Sequence, residues 1–258
     1  MSWAVKRQFI YFFIFILFVT GVSIFVFRDI IFRNPTCYDK KQNGQERGVD
    51  CGGQCSLICK ADIKEPVVLW SRAFPITSNL YNLAARIENR NTNGAVRQAK
   101  YVFKAYDKDN NLLGERVGTT YIPPGQPYLV FEPQFEVGTA IIRSVSFSFD
   151  ENLIWEVKKD TISSLPIEVR NMILSEENIG PVLSADIIND SVYDLEQFNV
   201  VGMVYDKDSN VINVSRTRKS KLESSKTTKV NFTWPSPFTI VPVTKQVEIQ
   251  INPFLVSF

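Results

Sequence analysis

Residues 101–110 read YVFKAYDKDN, and residues 200–209 read VVGMVYDKDS. Each run is rich in β-branched or aromatic residues and ends in the same signal, Tyr-Asp-Lys-Asp, at Tyr106–Asp109 and again at Tyr205–Asp208. Such side chains suit a pleated, buried surface, and Asp followed by Asn or Ser closes a turn by accepting backbone hydrogen bonds. Two such runs about 100 residues apart predict the inner strands of a duplicated β-fold.

The repeat extends outward on both sides. Pro66–Leu69 matches Pro166–Val169, and Leu83, Ile87 and Asn89 match Leu183, Ile187 and Asn189. Val145–Phe149 matches Val247–Ile251. Residues 144–149 and 245–251 alternate with period two, as half-buried strands do. Turn signals punctuate both copies, at Pro123-Pro124-Gly125 and Pro235-Ser236-Pro237 among others. The fold class is therefore mostly β, with two immunoglobulin-like β-sandwich domains at residues 64–158 and 165–258. The polar stretch Lys158–Ser164 between them is short, which predicts a semi-rigid tandem. Leu153–Trp155 and Phe254–Val256 occupy equivalent places, so each copy is expected to close with an apolar strand.

At the repeated Tyr-Asp element the chain resembles the FxLYD family of immunoglobulin-like domains. Phe103–Asp107 follows that pattern with Ala105 for Leu. Gly202–Asp206 follows it with Gly202 for Phe and Val204 for Leu. Asn89 and Asn189 match the family's Asn after the second strand. The resemblance covers both copies and implies a binding or spacer module on an exported microbial surface protein, without shared catalytic residues.

Phe9–Phe27 contains no charged residue. A helix of that run spans about 28 Å at ~1.5 Å per residue, close to the ~30 Å hydrocarbon core of a bilayer. Residues 9–32 are read as a transmembrane signal-anchor in contact with lipid, residues 1–8 as a cytoplasmic tail. Lys6 and Arg7 favour an N-in orientation with the rest outside a plasma (inner) membrane. A buried core helix and a cleaved signal peptide are the alternatives. The second is disfavoured because the apolar run is long and the residues after it are large or charged.

All four cysteines, Cys37, Cys51, Cys55 and Cys59, lie in residues 35–60, a Gly-rich stretch with little aliphatic content. Such a piece cannot bury a core, so two disulfides are expected on an oxidising membrane face, with three connectivities open. A four-thiolate zinc site, or a cation held by Asp39, Glu46 and Asp50, are the alternatives. The stretch resembles a small cysteine module of exported surface proteins, carried by Cys37, Asp39, Asn43, Gly44, Glu46, Val49, Asp50, Cys51, Gly52, Gly53 and Cys55. It implies a structural stem.

Two further clusters have a ligand reading. Asp107, Asp109, Asp206 and Asp208 invite weak calcium binding. The EF-hand pattern fails, because Leu112 and Val211 stand where Gly is needed and Gly118 and Thr217 where Glu is needed. A tight turn is the expected role. Arg216, Arg218, Lys219, Lys221, Lys226 and Lys229 form a basic run with one acid, Glu223. It would suit a glycan or anionic wall polymer. A charged edge strand guarded against self-pairing explains the same residues. Asn189, Asn213 and Asn231 begin formal glycosylation sequons.

The chain has no histidine. That excludes Ser-His-Asp and Cys-His nucleophile systems and imidazole metal ligands. The net charge of +2 argues against a nucleic-acid partner. No P-loop, Gly-x-Ser-x-Gly elbow or dinucleotide fingerprint is present. The expected protein is non-catalytic, needs no cofactor, and is a membrane-anchored surface interaction or scaffold protein. Its partner would be another protein or a surface polymer; an accessory subunit of a membrane complex is the further alternative.

Overall fold

The structure is a computed structural model and describes residues 3–31, 35–159, 163–177 and 180–255. Two compact units divide it, Met1–Cys55 and Ser56–Phe258. The division falls inside the expected stem of residues 35–60. Ile58 N–H donates to Trp155 O (2.9 Å) and Val157 N–H to Ser56 O (2.7 Å), so the residues after Cys55 belong with the first sandwich.

The first unit begins with helix α1, Trp3–Ile31. Residues 3–8, expected as a tail, are helical, and Phe32 lies outside the described residues. From Phe9 to Phe27 the large apolar side chains are exposed, and none of the most apolar stretch is covered by protein. That rules out a buried core helix. A helix satisfies its own backbone groups, the condition for crossing lipid.

Cys37 is bonded to Cys55, and Cys51 and Cys59 are disulfide-bonded as well. The stem's acids are spent on its own backbone. Asp39 accepts from Lys41 N–H (2.9 Å) and Asn43 Nδ2 (2.8 Å), and Asp50 accepts from Lys40 N–H at 3.0 Å. Glu46 accepts from Asn43 N–H (3.2 Å). Gly53 has φ +62°, and a Cβ there would stand 1.9 Å from Gln45 O, so no other residue fits.

The second unit contains thirteen described strands. Copy one has β1 (Val67–Pro75), β2 (Leu80–Glu88), β3 (Gly94–Tyr106), β4 (Leu112–Ile122), β5 (Pro127–Glu136), β6 (Ser144–Phe149) and β7 (Trp155–Val157). Copy two has β8 (Ile167–Glu177), β9 (Gly180–Asn189), β10 (Leu195–Tyr205), β11 (Val211–Leu222), β12 (Lys226–Thr233) and β13 (Thr244–Gln250). The sheets run β1-β2-β5 and β4-β3-β6 in copy one, with β7 also on β3, and β8-β9-β12 and β11-β10-β13 in copy two. The motif strands β3 and β10 are central, as their composition predicts. Copy one closes with β7; Pro253–Leu255 instead form a turn, and no strand follows β13 among the described residues.

Alternation assigns each face. In β2, Tyr81, Leu83, Ala85 and Ile87 point into the core of copy one with Phe103, Val130 and Phe147. In β9 and β10, Leu183, Ala185, Ile187, Phe198, Val200 and Val204 fill the core of copy two with Phe232. The outward faces of β1, β2 and β5 meet those of β10 and β11 in a third cluster, in which Phe74, Ala84, Leu129 and Phe131 pack on Val201, Met203, Val211 and Val214. Sheet β1-β2-β5 thus packs on sheet β11-β10-β13, and the sandwiches lie face to face. The tandem is more intimate than a short linker alone predicts. Each large apolar side chain buried at this seam contributes about 1.5–3 kcal/mol relative to exposure.

Candidate functional site

The repeated turn is built by its first aspartate. Asp107 accepts from Asp109 N–H (2.8 Å), Asn111 N–H (2.9 Å) and Asn111 Nδ2 (3.0 Å). Asp206 accepts from Asp208 N–H and Asn210 N–H, both at 2.8 Å. Asn110 and Ser209 take positive φ between these partners. The side-chain bond from Asn111 holds Asp107 below the usual carboxylate range, and the backbone bond from Asn210 does the same for Asp206. The first carboxylate of each proposed calcium pair is therefore committed to its turn. Asp208 pairs instead with Lys207 at 3.0 Å.

Asn89 and Asn189 are 1 % and 0 % exposed. Asn89 Nδ2 donates to Gly94 O (2.7 Å) and Pro123 O (2.6 Å), and its Oδ1 accepts from Asn91. Asn189 Nδ2 donates to Tyr193, Leu222 and Glu223 carbonyls, and its Oδ1 accepts from Ser191. Each amide ties three chain segments at one end of its sandwich. The Asn189 sequon is closed to glycosylation by burial, whereas Asn231 is exposed on β12.

The basic run follows β11 and β12, and β11 is an edge of its sheet. Its charges do not converge. Lys221 pairs with Asp194 (2.8 Å), Lys219 Nζ donates to Lys229 O (3.0 Å), and Arg218 donates to Gln197 (3.1 Å). Arg216 turns toward copy one, its guanidinium 5.1 Å from the Phe131 ring centre. Desolvation there pushes its pKa down, opposed by Tyr101 and Glu132. Lys226 and Lys229 remain exposed.

The three-donor cluster Cys37, Glu46 and Cys55 draws together atoms a metal would use. Both sulfurs are joined in the disulfide, and no free cysteine remains. That leaves no thiolate for the zinc alternative.

The seam between the copies is the feature that sequence reasoning missed. Arg86 on β2 and Glu248 on β13 form a bidentate pair, with Nη2 to Oε1 at 2.7 Å and a second short contact from Nη1 to Oε2. Their side chains are 16 % and 17 % exposed. Arg72 donates across the seam to Val211 O (3.0 Å) and Gln250 to Leu129 O (3.2 Å). Beside the ion pair lies a cavity of about 390 Å³, walled by both copies and including Tyr121, Gln126, Tyr128, Ile167 and Gln250. The available signal was in the repeat. Ala84, Leu129 and Phe131 correspond to Ser184, Lys229 and Asn231, so one copy's outer sheet is apolar where the other's is polar, and the charged Arg86 and Asp186 occupy equivalent places.

No protein family matches the chain, and no curated protein matches it. Among solved structures, red sea bream transglutaminase is similar at 9 % identity and a TM-score of 0.23, over 74 % of this chain and 30 % of that one. A Bacteroides uniformis β-glucuronidase is similar at 11 % identity and a TM-score of 0.17, over 68 % and 22 %. The tandem CBM22 domain from Paenibacillus barcinonensis Xyn10C is similar at 7 % and 0.15, over 73 % and 91 %. The chain thus spans less than a third of the first two proteins. At these scores the likenesses carry no argument about activity.

Proposed function

We infer that this chain is a non-catalytic, membrane-anchored interaction or scaffold protein that presents two immunoglobulin-like domains as one body outside the membrane. The observation that carries the reading is the seam. An apolar face, a bidentate ion pair and hydrogen bonds from side chains to main-chain carbonyls join the copies, so that loops and sheet edges of both are held in fixed relation. Fixed geometry is what a surface that docks another protein needs. The uncovered apolar helix, the disulfides suited to an oxidising face, and the resemblance to FxLYD domains and exported cysteine modules support the same reading. Lys6 and Arg7 before the span support N-in orientation.

Glycan or anionic-polymer binding through the basic strand has less support. Lys221 is neutralised by Asp194, and Arg216 faces the seam. Protease treatment of intact cells tests the topology: residues 56–255 should be lost, and their resistance would overturn the reading. Crosslinking in native membranes should then join the sandwiches to a protein partner. Retention on anionic wall polymer that falls when Arg218, Lys219, Lys226 and Lys229 are neutralised would replace the scaffold reading with the polymer one.

A further inference from the structure

Among the described residues, every edge strand but one carries a charge. In copy one, β1 has Arg72, β4 has Glu115 and Arg116, β5 has Glu132 and β7 has Glu156. In copy two, β8 has Glu168, β11 has Arg216, β12 has Lys226 and β13 has Lys245. Such charges keep an open edge from pairing with another chain. β6, Ser144–Phe149, has neither a charge nor a proline. It pairs with β3 on one side and with no strand on the other.

The register says which groups β6 leaves open. Asp150 N–H donates to Lys100 O (2.9 Å), in line with the pairing of Phe149 and Tyr101. Bonding alternates along an antiparallel pair, so Ser144, Ser146 and Ser148 bond to β3. The main-chain groups of Val145, Phe147 and Phe149 point the other way. Val145 O is met by the Ser71 hydroxyl at 2.6 Å. Phe147 and Phe149 have no main-chain partner on that side among the described residues.

The neighbouring part of this edge is already filled by the chain itself. Val96 of β3 pairs with Ile122 of β4 and with Trp155 of β7, so β7 lies on the β6 side of β3. Ser56–Ile58 lie along β7, with Leu57 bridged to Glu156 and Ile58 N–H bonded to Trp155 O. An extended segment is thus accepted where β7 ends the edge. Past Ile58 a groove of about 550 Å³ opens beside Phe147 and Phe149.

Ile58, Ile63, Val68, Leu153 and Trp155 make the groove apolar. Phe147 and Phe149 face inward, so residues opposite them on an added strand would send their side chains into it. Alternate residues, beside the exposed Ser146 and Ser148, would face water. At the rim, exposed Glu65, Asp150 and Glu151 outnumber Lys60. Two copies meeting at this edge would set those acids against each other, whereas a basic segment would complement them.

We propose that the open edge of β6 takes up an extended segment of a partner protein as an added strand, apolar at alternate positions and basic beside Asp150 and Glu151. Main-chain bonds to an edge give such docking its affinity, and the groove for alternate side chains gives its specificity. The proposal rests on the scaffold reading and deepens it by naming the edge and the chemistry of the segment. A partner that docks on loops would pass the crosslinking test of that reading and fail the test of this one.

Full-length protein in nanodiscs is titrated into a labelled, end-capped peptide of alternating valine and serine with a lysine at each end, and fluorescence anisotropy reads binding. The signal should saturate below ~1 mM protein, the weak end of specific affinities. Glutamate in place of the lysines should weaken binding several-fold at low salt, and added salt should shrink the difference. N-methylation of the peptide's bonding residues removes its donors and keeps its side chains, and should cost roughly tenfold. Hydrogen exchange should slow across residues 144–149 on binding and stay unchanged in β4 and β11. The double variant Asp150→Lys, Glu151→Lys changes exposed residues only, and should reverse the preference toward the glutamate peptide. No saturable binding, equal binding of the N-methylated peptide, protection outside residues 144–149, or an unchanged preference in the double variant overturns the proposal. Protection of β6 that grows with protein concentration in the absence of peptide would make a second copy the occupant and overturn it likewise.

Discussion

The two copies solve the same packing problem with the large side chain on opposite sheets. In copy one, Phe103 on β3 is fully buried, and the facing position on β5 is Glu132, which accepts from Tyr101. In copy two the equivalent positions are Gly202 on β10 and Phe232 on β12. Phe232 lies so close over Gly202 that a Cβ there would meet its ring at 2.8 Å. At this pair of positions the phenyl ring comes from β3 in copy one and from β12 in copy two. The Phe232 ring thus occupies the space over Gly202 that the departure of copy two from the Phe-x-Leu-Tyr-Asp pattern opens.

Outward faces differ for a related reason. Copy one's β2 and β5 are apolar because copy two covers them. The equivalent Ser184, Asp186, Lys229 and Asn231 face away from any covering sheet and are polar. Copy one's Lys104 stands where copy two buries Met203. Duplication supplied two similar sandwiches, and divergence made one face of each complementary to the other.

This comparison can be broken at its core. Phe232→Ala and Phe103→Ala should each cost about 3–5 kcal/mol, measured by denaturant unfolding of the full chain. Gly202→Phe should be destabilising alone and should recover stability when combined with Phe232→Ala. Additivity of the two changes would show that the rings do not share one space.

The buried asparagines come next in size. Asn189→Ala leaves carbonyls of Tyr193, Leu222 and Glu223 without their donor, at about 1–3 kcal/mol for the unsatisfied groups. Asn89→Ala should match it, because both amides do the same work. A difference above ~2 kcal/mol between them in chemical unfolding would end the claim of equivalence.

The seam is tested by its ion pair. Removing either Arg86 or Glu248 should cost about 2 kcal/mol, and the double-mutant cycle should show coupling between them. Hydrogen exchange should rise at Val201 and Met203 while Leu83 and Ile87 stay protected. Loss of protection throughout both cores would mean that the sandwiches do not stand without the seam.

The smallest effect is the turn aspartate. Asp107 and Asp206 have lowered pKa values in the folded chain, so their contribution is present above the ordinary carboxylate pKa and is lost as pH falls through the folded value. The stability difference between the parent and Asp107→Asn should therefore close as pH drops below about 4. A difference that persists at pH 2 would place the effect in packing.

Much of this was legible in the residues. The duplication, the central strands β3 and β10, the turn aspartates and the apolar helix follow from local pattern: period-two alternation, turn chemistry, and an uncharged run long enough to span lipid. Asn89 and Asn189 were visible as repeated residues, yet their role as three-segment ties needed coordinates. Leu129, Phe131, Val201 and Met203 could be read as buried, but alternation does not say which sheet covers an apolar face. The partners Arg86 and Glu248 are 162 residues apart, and nothing in the pattern of either strand points to the other. Local propensity and side-chain period are properties of a few neighbouring residues, so the sequence by itself determined the elements and their inward faces. Which sheet meets which, and the cavity left where they meet, depend on shape and charge between segments distant in the chain, and only the tertiary structure decided them.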